Sequence, residues 1–245
     1  MHDAVERHLD WGGCFNVRDL GGLPAAEGRT TARGALVRAD SLSRLTDAGW
    51  QALLDHGVRT VIDLRNERER GEAPDAAGRP AAITTVHAPL DGAEDRGFWQ
   101  PIEQTPDFGT PLYYRAHLQR KPEMAAGAIK AIAHAEPGGV AFHCVGGRDR
   151  AGELAMVALA LVGVPADVIG ADYELSAARQ AGLWDALGIE DPAPELAAYL
   201  AERGTSAGEV IETTLGSLDL HETLAAGGLT DEDVSALRAR LLTPG

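Results

Sequence analysis

The stretch from residue 138 to residue 164 constrains the fold of this chain more than any other. A glycine turn and a short apolar run lead to His143, a glycine-containing loop follows, and the sequence then becomes apolar with helical composition. The first run suits a strand, because it is short and follows a turn. The apolar run 154–164 is shorter than the roughly 18 residues that span a bilayer, so it predicts a buried helix. The stretch therefore predicts a strand, a loop and a helix in succession.

Strands and helices alternate through the first two thirds of the chain and give way to helices at its end. This order predicts an α/β sheet with a helical C-terminal layer over about 166–245. The predicted strands are 35–38, 58–64, 83–88 and 138–143, and the predicted helices of the first part are 46–57, 122–134 and 151–164.

Between the third and fourth strands lies a segment without a steady hydrophobic period. It carries three prolines over 91–111, and we interpret about 91–121 as a lid-like insertion, since long irregular segments in compact domains are often functional. Trp99, Tyr113 and Tyr114 have two interpretations: they line a pocket, or they anchor the insertion to the body.

Composition places the chain among soluble globular proteins. Its 245 residues are 44% hydrophobic and 24% charged, which fits a single domain over 1–245 with one sizeable core. The net charge of −15 repels nucleic acid and anionic lipid. Two cysteines and no visible signal peptide favour the cytoplasm, although export without a signal peptide stays open.

The loop after His143 carries the chemistry of the chain. A short glycine loop ahead of a helix turns backbone N–H groups inward and forms an anion cradle, which the helix dipole reinforces. Cys144 would lie under the anion as a thiolate nucleophile, and Arg150 would fork two hydrogen bonds to phosphate oxygens. The expected phosphate-binding residues are Val145, Gly146, Gly147, Arg148, Asp149 and Arg150.

Two motifs carry a resemblance to a known family. The run His143-Cys144-x5-Arg150 resembles the signature of protein tyrosine phosphatases, and Asn16-Val-Arg-Asp-Leu-Gly-Gly22 resembles a motif of the atypical bacterial branch, the mycobacterial protein tyrosine phosphatase B type. The segments 38–45, 60–65 and 167–173 follow in the order of that family. The resemblance implies a phosphatase-type three-layer fold, with a central, mostly parallel sheet and helices on both faces. It also implies a cysteinyl-phosphate intermediate, no metal or other cofactor, and activity on phosphotyrosine, in some members also on phosphoserine, phosphothreonine or phosphoinositides.

The chain departs from the family pattern at two positions. Ala151 stands where many such loops place a serine or threonine after the arginine, which predicts slower turnover because the thiolate loses a hydroxyl donor. Arg148 stands where the branch often has lysine, so a planar fork replaces a point charge.

Cleavage of a phosphate ester also needs an acid that protonates the leaving oxygen. Asp91, at the start of the insertion, and Asp149, inside the signature, compete for this role. We favour Asp91 slightly, with Asp95 and Asp107 as weaker alternatives. The alternative interpretation of Asp91 is that it only begins a turn, as aspartate before glycine often does.

Several other residues are expected to support the loop. An ion pair between Arg18 and Asp19 and another between Asp63 and Arg65 would buttress it. His143 would adjoin the nucleophile or fill a buried hydrogen-bonding position. In a separate interpretation, Cys14 approaches Cys144 and forms a protective disulfide on oxidation.

The leading hypothesis is a cysteine-dependent phosphomonoesterase acting on a phosphotyrosine-containing protein or a small phosphomonoester. A phosphoinositide phosphatase is the closest alternative, although the acidic composition opposes binding to anionic membranes and no stable membrane insertion is expected. A catalytically weak phosphate-binding protein and a persulfide-forming sulfurtransferase are further alternatives. His-Glu-x-x-His and Cys-x2-Cys patterns are absent from the sequence, so a metal site has no support.

Overall fold

A five-stranded sheet organises the chain. The computed structural model describes residues 7–73 and 78–244. The strands are β1 (Arg18–Asp19), β2 (Leu36–Ala39), β3 (Val58–Asp63), β4 (Thr84–His87) and β5 (Gly139–His143), in the spatial order β1-β2-β5-β3-β4. Only β1 pairs antiparallel with its neighbour, and the other three pairings are parallel, which confirms the mostly parallel sheet.

The helices account for most of the remaining chain. Thr46, Asn66, Ser206 and Thr230 cap helix N-termini by accepting a backbone N–H through their side chains. The helices are α1 (Asp47–Asp55), α2 (Glu67–Glu72), α3 (Arg96–Glu103), α4 (Tyr114–Arg120), α5 (Pro122–Ala133), α6 (Asp149–Leu161), α7 (Ala166–Leu187), α8 (Ala193–Ala201), α9 (Ala207–Ser217), α10 (Leu220–Ala226) and α11 (Asp231–Leu241).

Both faces of the sheet are covered, because successive side chains of a strand point to opposite faces. In β5, Val140 and Phe142 pack into a large cluster that includes side chains of α5 and α6. Ala141, between them, packs into a second cluster with Trp50 and Leu53 of α1. The expected three layers, with helices on both faces and a helical C-terminal part, are therefore confirmed.

The register aligns the carboxyl ends of the parallel strands at one edge. His143 lies beside Ala39 of β2 and Asp63 of β3, and Asp63 lies beside His87 of β4. Residues that directly follow these strands therefore meet at this edge, which is where open α/β sheets place their ligands.

The expectation of an irregular segment over 91–111 is wrong in its middle. Helix α3 forms there in spite of an internal proline, Pro101, because Asp95 caps it and its side chain accepts the N–H of Phe98. Trp99 is buried and its ring makes an edge contact with Tyr113 at 5.4 Å. Tyr113 and Tyr114 are also buried, so these aromatic residues anchor the segment to the body.

Among the residues that the structure describes, no helix combines the length and the apolar character needed to cross a membrane.

Candidate active site

The loop between β5 and α6 lies at the carboxyl edge of the sheet. Cys144 follows the last residue of β5 and is 3% exposed, and the loop ends at Arg148, the N-cap position of α6. The strand, loop and helix expected from the sequence therefore form as one unit.

The carbonyl groups at the start of this loop point outward into the surrounding protein. The carbonyl oxygen of Val145 accepts the backbone N–H of Ser41 at 3.0 Å. The carbonyl oxygen of Gly146 accepts a hydrogen bond from Nε2 of Gln180, on α7, at 2.7 Å. Two separate segments of the chain thus fix the direction of the first two peptide groups.

Asn16 and Arg38 hold the next carbonyl groups in the same way. Nδ2 of Asn16 donates to the carbonyl oxygens of Gly146 and Gly147, at 3.2 and 3.1 Å. Nε and Nη2 of Arg38 donate to the carbonyl oxygens of Gly147 and Arg148, at 2.8 and 3.0 Å. Both donors are buried, so the loop rests on a rigid polar support.

Outward carbonyl groups have a direct consequence for the N–H groups. Across a trans peptide the carbonyl of one residue and the N–H of the next point in opposite directions. The N–H groups of Gly146, Gly147 and Arg148 are therefore turned toward the inside of the loop. Gly147 has a φ of +66°, and a Cβ there would lie 2.7 Å from the backbone of Ala39, so only glycine fits.

Arg150, in the first turn of α6, is held by two carboxylates. Its Nη1 and Nη2 donate to the two oxygens of Glu69 at 2.5 and 2.7 Å, and Nη1 also donates to Oδ2 of Asp91 at 3.1 Å. Burial alone would lower the pKa of Arg150, but these carboxylates and the nearby Cys144 raise it above its ordinary value. The guanidinium is therefore a fixed, permanent cation.

The two acid candidates have different surroundings. Oδ2 of Asp91 accepts hydrogen bonds from Arg150 and from Nδ2 of Asn66, while its backbone oxygen accepts from Nε1 of Trp99 at 2.7 Å. The side chain of Asp149 is 42% exposed, and its Oδ1 lies 3.7 Å from Nε of Arg148. Asp91 is thus fixed beside Arg150, while the partly exposed side chain of Asp149 lies near Arg148. Asp95 and Asp107, the weaker alternatives, bond to Arg120 and to Tyr199 instead.

The expected ion pair between Arg18 and Asp19 is wrong. Arg18 pairs with Asp172 of α7 at 3.0 Å, while the carboxylate of Asp19 accepts the backbone N–H groups of Gly21 and Gly34. Adjacent strand residues point to opposite faces, so the two side chains of β1 cannot meet. Arg18 still supports the loop, because its Nη1 donates to Oδ1 of Asn16 at 2.8 Å.

The second expected pair forms. Arg65 and Asp63 meet at 2.8 Å, both 1% exposed, and Arg65 also donates to Oγ of Ser41. Burial by itself would raise the pKa of Asp63, but hydrogen bonds from Arg65 and the nearby His143 lower it. Nδ1 of the buried His143 lies 3.2 Å from the carbonyl oxygen of Cys144.

Cys14 lies next to Ser41, the residue whose hydroxyl accepts a hydrogen bond from Arg65. Its thiol donates to the carbonyl oxygen of Ser41 at 3.5 Å, and burial, followed by the charge of Asp40, raises its pKa well above the usual value. Cys14 and Cys144 are both free thiols. Their pairing on oxidation stays a prediction.

Four residues of the site escaped the sequence analysis. Glu69, Arg38, Gln180 and Asp172 carried no assigned role, although Arg38 and Asp172 lie in the segments that carry the family resemblance. The signal for Glu69 was its place three residues after Asn66, where the two form a capping box.

A cavity of about 340 Å³ adjoins Arg148 between α7 and α8. Seven of its fifteen lining residues are alanine or leucine, and Arg148, Tyr173 and Glu174 are the largest polar side chains among the others. Pockets for small molecules generally have such a partly apolar lining, and this one adjoins the loop 144–148, called the anion loop below. Within 7–73 and 78–244, no three His, Cys, Asp or Glu side chains gather closely enough to hold a metal ion.

Known proteins show the same similarity that the motifs indicate. A family model described as "Tyrosine phosphatase family" matches residues 9–243. A tyrosine-protein phosphatase of Nostoc commune is 33% identical over 154 residues, 63% of this chain and 52% of that protein, so the match spans about half of the relative. A putative tyrosine-protein phosphatase of Cupriavidus necator is 29% identical over 93% of this chain and 85% of its own length.

One further relative and one solved structure are also similar to this chain. The triple specificity protein phosphatase PtpB of Mycobacterium tuberculosis is 30% identical over 78% of this chain and 72% of its own length. A crystal structure of TpbA from P. aeruginosa aligns with a TM-score of 0.40 and 16% identity, covering 82% of this chain and 90% of that one. Because the family model covers almost the whole chain, the resemblance drawn from the motifs is confirmed, and the chain belongs to the tyrosine phosphatase family of enzymes.

Proposed function

We propose that the protein is a cysteine-dependent phosphomonoesterase that hydrolyses phosphotyrosine through a cysteinyl-phosphate intermediate. The observation that carries the proposal is the outward direction of the carbonyl groups of Val145, Gly146 and Gly147. It leaves a ring of N–H groups above Cys144, and such a ring binds a phosphate dianion and favours the thiolate.

The proposed reaction has two displacement steps. Sγ of Cys144 attacks phosphorus, the bond from phosphorus to the ester oxygen breaks, and an aspartic acid gives its proton to the leaving oxygen. The same aspartate then takes a proton from water, which attacks the cysteinyl phosphate and breaks the bond between sulfur and phosphorus. The products are an alcohol or phenol and inorganic phosphate.

The geometry of Arg150 supports a role in binding the transferred phosphoryl group. Glu69 occupies the end of the guanidinium at Nη1 and Nη2, and Asp91 takes a further N–H of Nη1. Nε and the second N–H of Nη2 form the remaining edge, and no described residue accepts a hydrogen bond from Nε. We assign this edge to two phosphate oxygens.

We assign the acid to Asp91. Its carboxylate lies within hydrogen-bonding distance of the Arg150 guanidinium, so it is next to the group that would hold the phosphate. Asn66 and Trp99 fix both its side chain and its backbone. Asp149 is the alternative, and the leaving-group experiment below separates the two.

The names of the relatives support phosphotyrosine as the first substrate to test. PtpB is described as a triple specificity phosphatase, which makes phosphoserine, phosphothreonine and phosphoinositides reasonable second substrates. The alternative of a catalytically weak phosphate-binding protein rests on Ala151, which gives no hydroxyl to the thiolate. It predicts phosphate binding without turnover.

Turnover of an aryl phosphate tests the proposal. We expect hydrolysis that survives EDTA, is inhibited by vanadate and disappears in Cys144→Ser. Arg150→Ala should reduce kcat/KM by about 1000-fold or more, because the phosphoryl group loses its bidentate donor. Cys14→Ser and Arg68→Ala, at a side chain that is 81% exposed, are the matched controls and should keep full activity under reducing conditions. Activity retained in Cys144→Ser would show that the nucleophile is wrong.

Aryl phosphates with leaving groups of different pKa identify the acid. We expect Asp91→Asn to lose about 100-fold or more in rate with a poor leaving group and little with a good one, because only a poor leaving group needs a proton. Asp149→Asn should change both rates by similar factors. The opposite pattern would transfer the acid role to Asp149.

A further inference from the structure

A buried ion pair joins the lid segment to the helix that follows the anion loop. Nδ1 of His117, on α4, lies 2.8 and 3.0 Å from the two carboxylate oxygens of Glu153, on α6. Both side chains are 1% exposed. The proposed reaction has not used either residue.

The pair belongs to a closed ring of contacts around Asp91. Glu153 follows Arg150 by three residues, about one helical turn. The Arg150 guanidinium contacts the carboxylate of Asp91 at 3.1 Å, and the backbone oxygen of Asp91 accepts Nε1 of Trp99 at 2.7 Å. The ring of Trp99 packs on that of His117 at a centroid distance of 5.3 Å, and His117 returns to Glu153.

The surroundings of His117 fix its ring in one orientation. Phe98, Trp99 and Tyr113 contact it from the lid side, at centroid distances of 5.7, 5.3 and 6.3 Å. Burial alone would lower the pKa of His117, but the Glu153 carboxylate, together with the nearby Asp91 backbone, raises it above its ordinary value. Removing one partner of a buried pair leaves the other group without compensation, so a substitution at His117 or Glu153 disturbs this part of the protein.

We propose that His117 and Glu153 are positioning residues that hold Asp91 over the anion loop and so set the protonation of the leaving group. The proposal rests on the proposed function and deepens it, because Asp91 acts as the acid only where its carboxyl meets the ester oxygen. The pair connects α4 to α6. Trp99 packs on His117 and donates to the backbone oxygen of Asp91, so the position of His117 also determines the position of Asp91. A small displacement of a catalytic group is enough to lower its rate contribution, since proton transfer needs hydrogen-bonding distance.

The test compares two leaving groups in the same protein sample. His117→Leu keeps an apolar side chain of moderate size but removes the bond to Glu153. We expect it to lower kcat for an aryl phosphate with a poor leaving group by about 10-fold, a fraction of what a general acid contributes, and to change kcat for a good leaving group by less than about 2-fold. The ratio of the two rates does not depend on the folded fraction, so a loss of stability alone leaves it unchanged.

Two variants sharpen the comparison. His117→Asn keeps an N–H donor near the position of Nδ1 and should restore most of the wild-type ratio. His134→Leu is the matched control, because it breaks a histidine–aspartate pair of the same kind, with Asp233 at 2.7 Å, at a side chain that is 51% exposed and outside the site. It should leave the ratio unchanged. If His117→Leu is insoluble, Glu153→Met, which removes both acceptor oxygens at similar side-chain volume, provides the same comparison.

A double-variant cycle with Asp91→Asn decides whether His117 acts through Asp91. In that background His117→Leu should add no further dependence on the leaving group, since residues that act as one unit are not additive. Equal losses for both leaving groups, or a dependence that persists without Asp91, would overturn the inference. If Asp91→Asn itself shows no dependence on the leaving group, the acid assignment fails and the inference with it. If only His117→Leu shows none, the acid assignment stands alone.

Discussion

At the scale of single residues, Glu69 shows how one carboxylate serves two elements. Its Oε2 accepts the backbone N–H of Asn66 at 3.0 Å and closes the capping box of α2, and both its oxygens bind Arg150. Burial by itself would raise the pKa of Glu69, but the Arg150 hydrogen bond lowers it. The carboxylate therefore stays ionised and binds the Nη1–Nη2 end of the guanidinium, which leaves the edge formed by Nε and Nη2 for the proposed contact with phosphate.

Glu69→Gln separates these two tasks. Glutamine still accepts the capping hydrogen bond, so α2 should form, but the charge on Arg150 is no longer matched. We expect kcat/KM for an aryl phosphate to fall about 10- to 100-fold, because a misoriented catalytic group loses most of its advantage. Glu67→Gln, on the same helix and 78% exposed, is the control and should have wild-type kinetics. A rise in kcat/KM of Glu69→Gln would show instead that Glu69 competes with the phosphate for Arg150.

At the scale of elements, local sequence patterns predicted the helices and strands whose formation depends on residues close together in the sequence. The predicted helix 46–57 forms as α1 with Thr46 as its N-cap, and the short apolar run before His143 forms β5. Helix α3 was missed because Pro101 and its length of eight residues hide its period. Helix α7 spans Ala166–Leu187 and ends at Gly188, which adopts the left-handed conformation common after a helix.

Long-range contacts explain what the sequence patterns left out of the site. Cys144 and Arg150 lie six residues apart, in the loop and in the first turn of α6, so the local succession of strand, glycine loop and helix predicted a site. The partners of that loop come from far along the chain: Asn16 lies 131 residues before Gly147, and Gln180 lies 34 residues after Gly146. Hydrophobic periodicity gives no information on contacts between residues so far apart in the sequence. For this reason Arg18 was predicted to pair with its neighbour Asp19 instead of with Asp172.

At the scale of the whole molecule, a buried cluster of charges joins the N-terminal region, the sheet and α7. Asp172 pairs with Arg7 at 2.7 Å, with Arg18 at 3.0 Å and with Arg38 at 3.5 Å, and all four side chains are at most 4% exposed. Arg38 in turn holds the carbonyl of Gly147. Within the part of the chain that the structure describes, Asp172 is the carboxylate that pairs with all three guanidinium groups, so this cluster carries excess positive charge behind the anion loop, although the chain has a net charge of −15.

This cluster predicts how stability depends on pH. Burial would raise the pKa of Asp172, but the charges of Arg18, Arg38 and Arg7 outweigh it and bring the pKa below its ordinary value. A carboxyl group whose pKa is lower in the folded state stabilises the protein at pH values above its pKa in the unfolded chain, about 3.9, and this contribution is lost as the pH falls toward the pKa of the folded state.

We expect Asp172→Asn to lose about 3 to 5 kcal/mol in free energy of unfolding at pH 7, because three arginines lose their counterion. Below about pH 4 its free energy should fall less steeply than that of the wild type, since one protonation step is gone. Denaturant titrations from pH 7 to pH 2 measure both effects, with Glu72→Gln, at an exposed side chain 3.9 Å from Arg68, as a control that should follow the wild-type curve. Equal slopes for Asp172→Asn and the wild type below pH 4 would show that Asp172 is not the carboxylate that ties this cluster together.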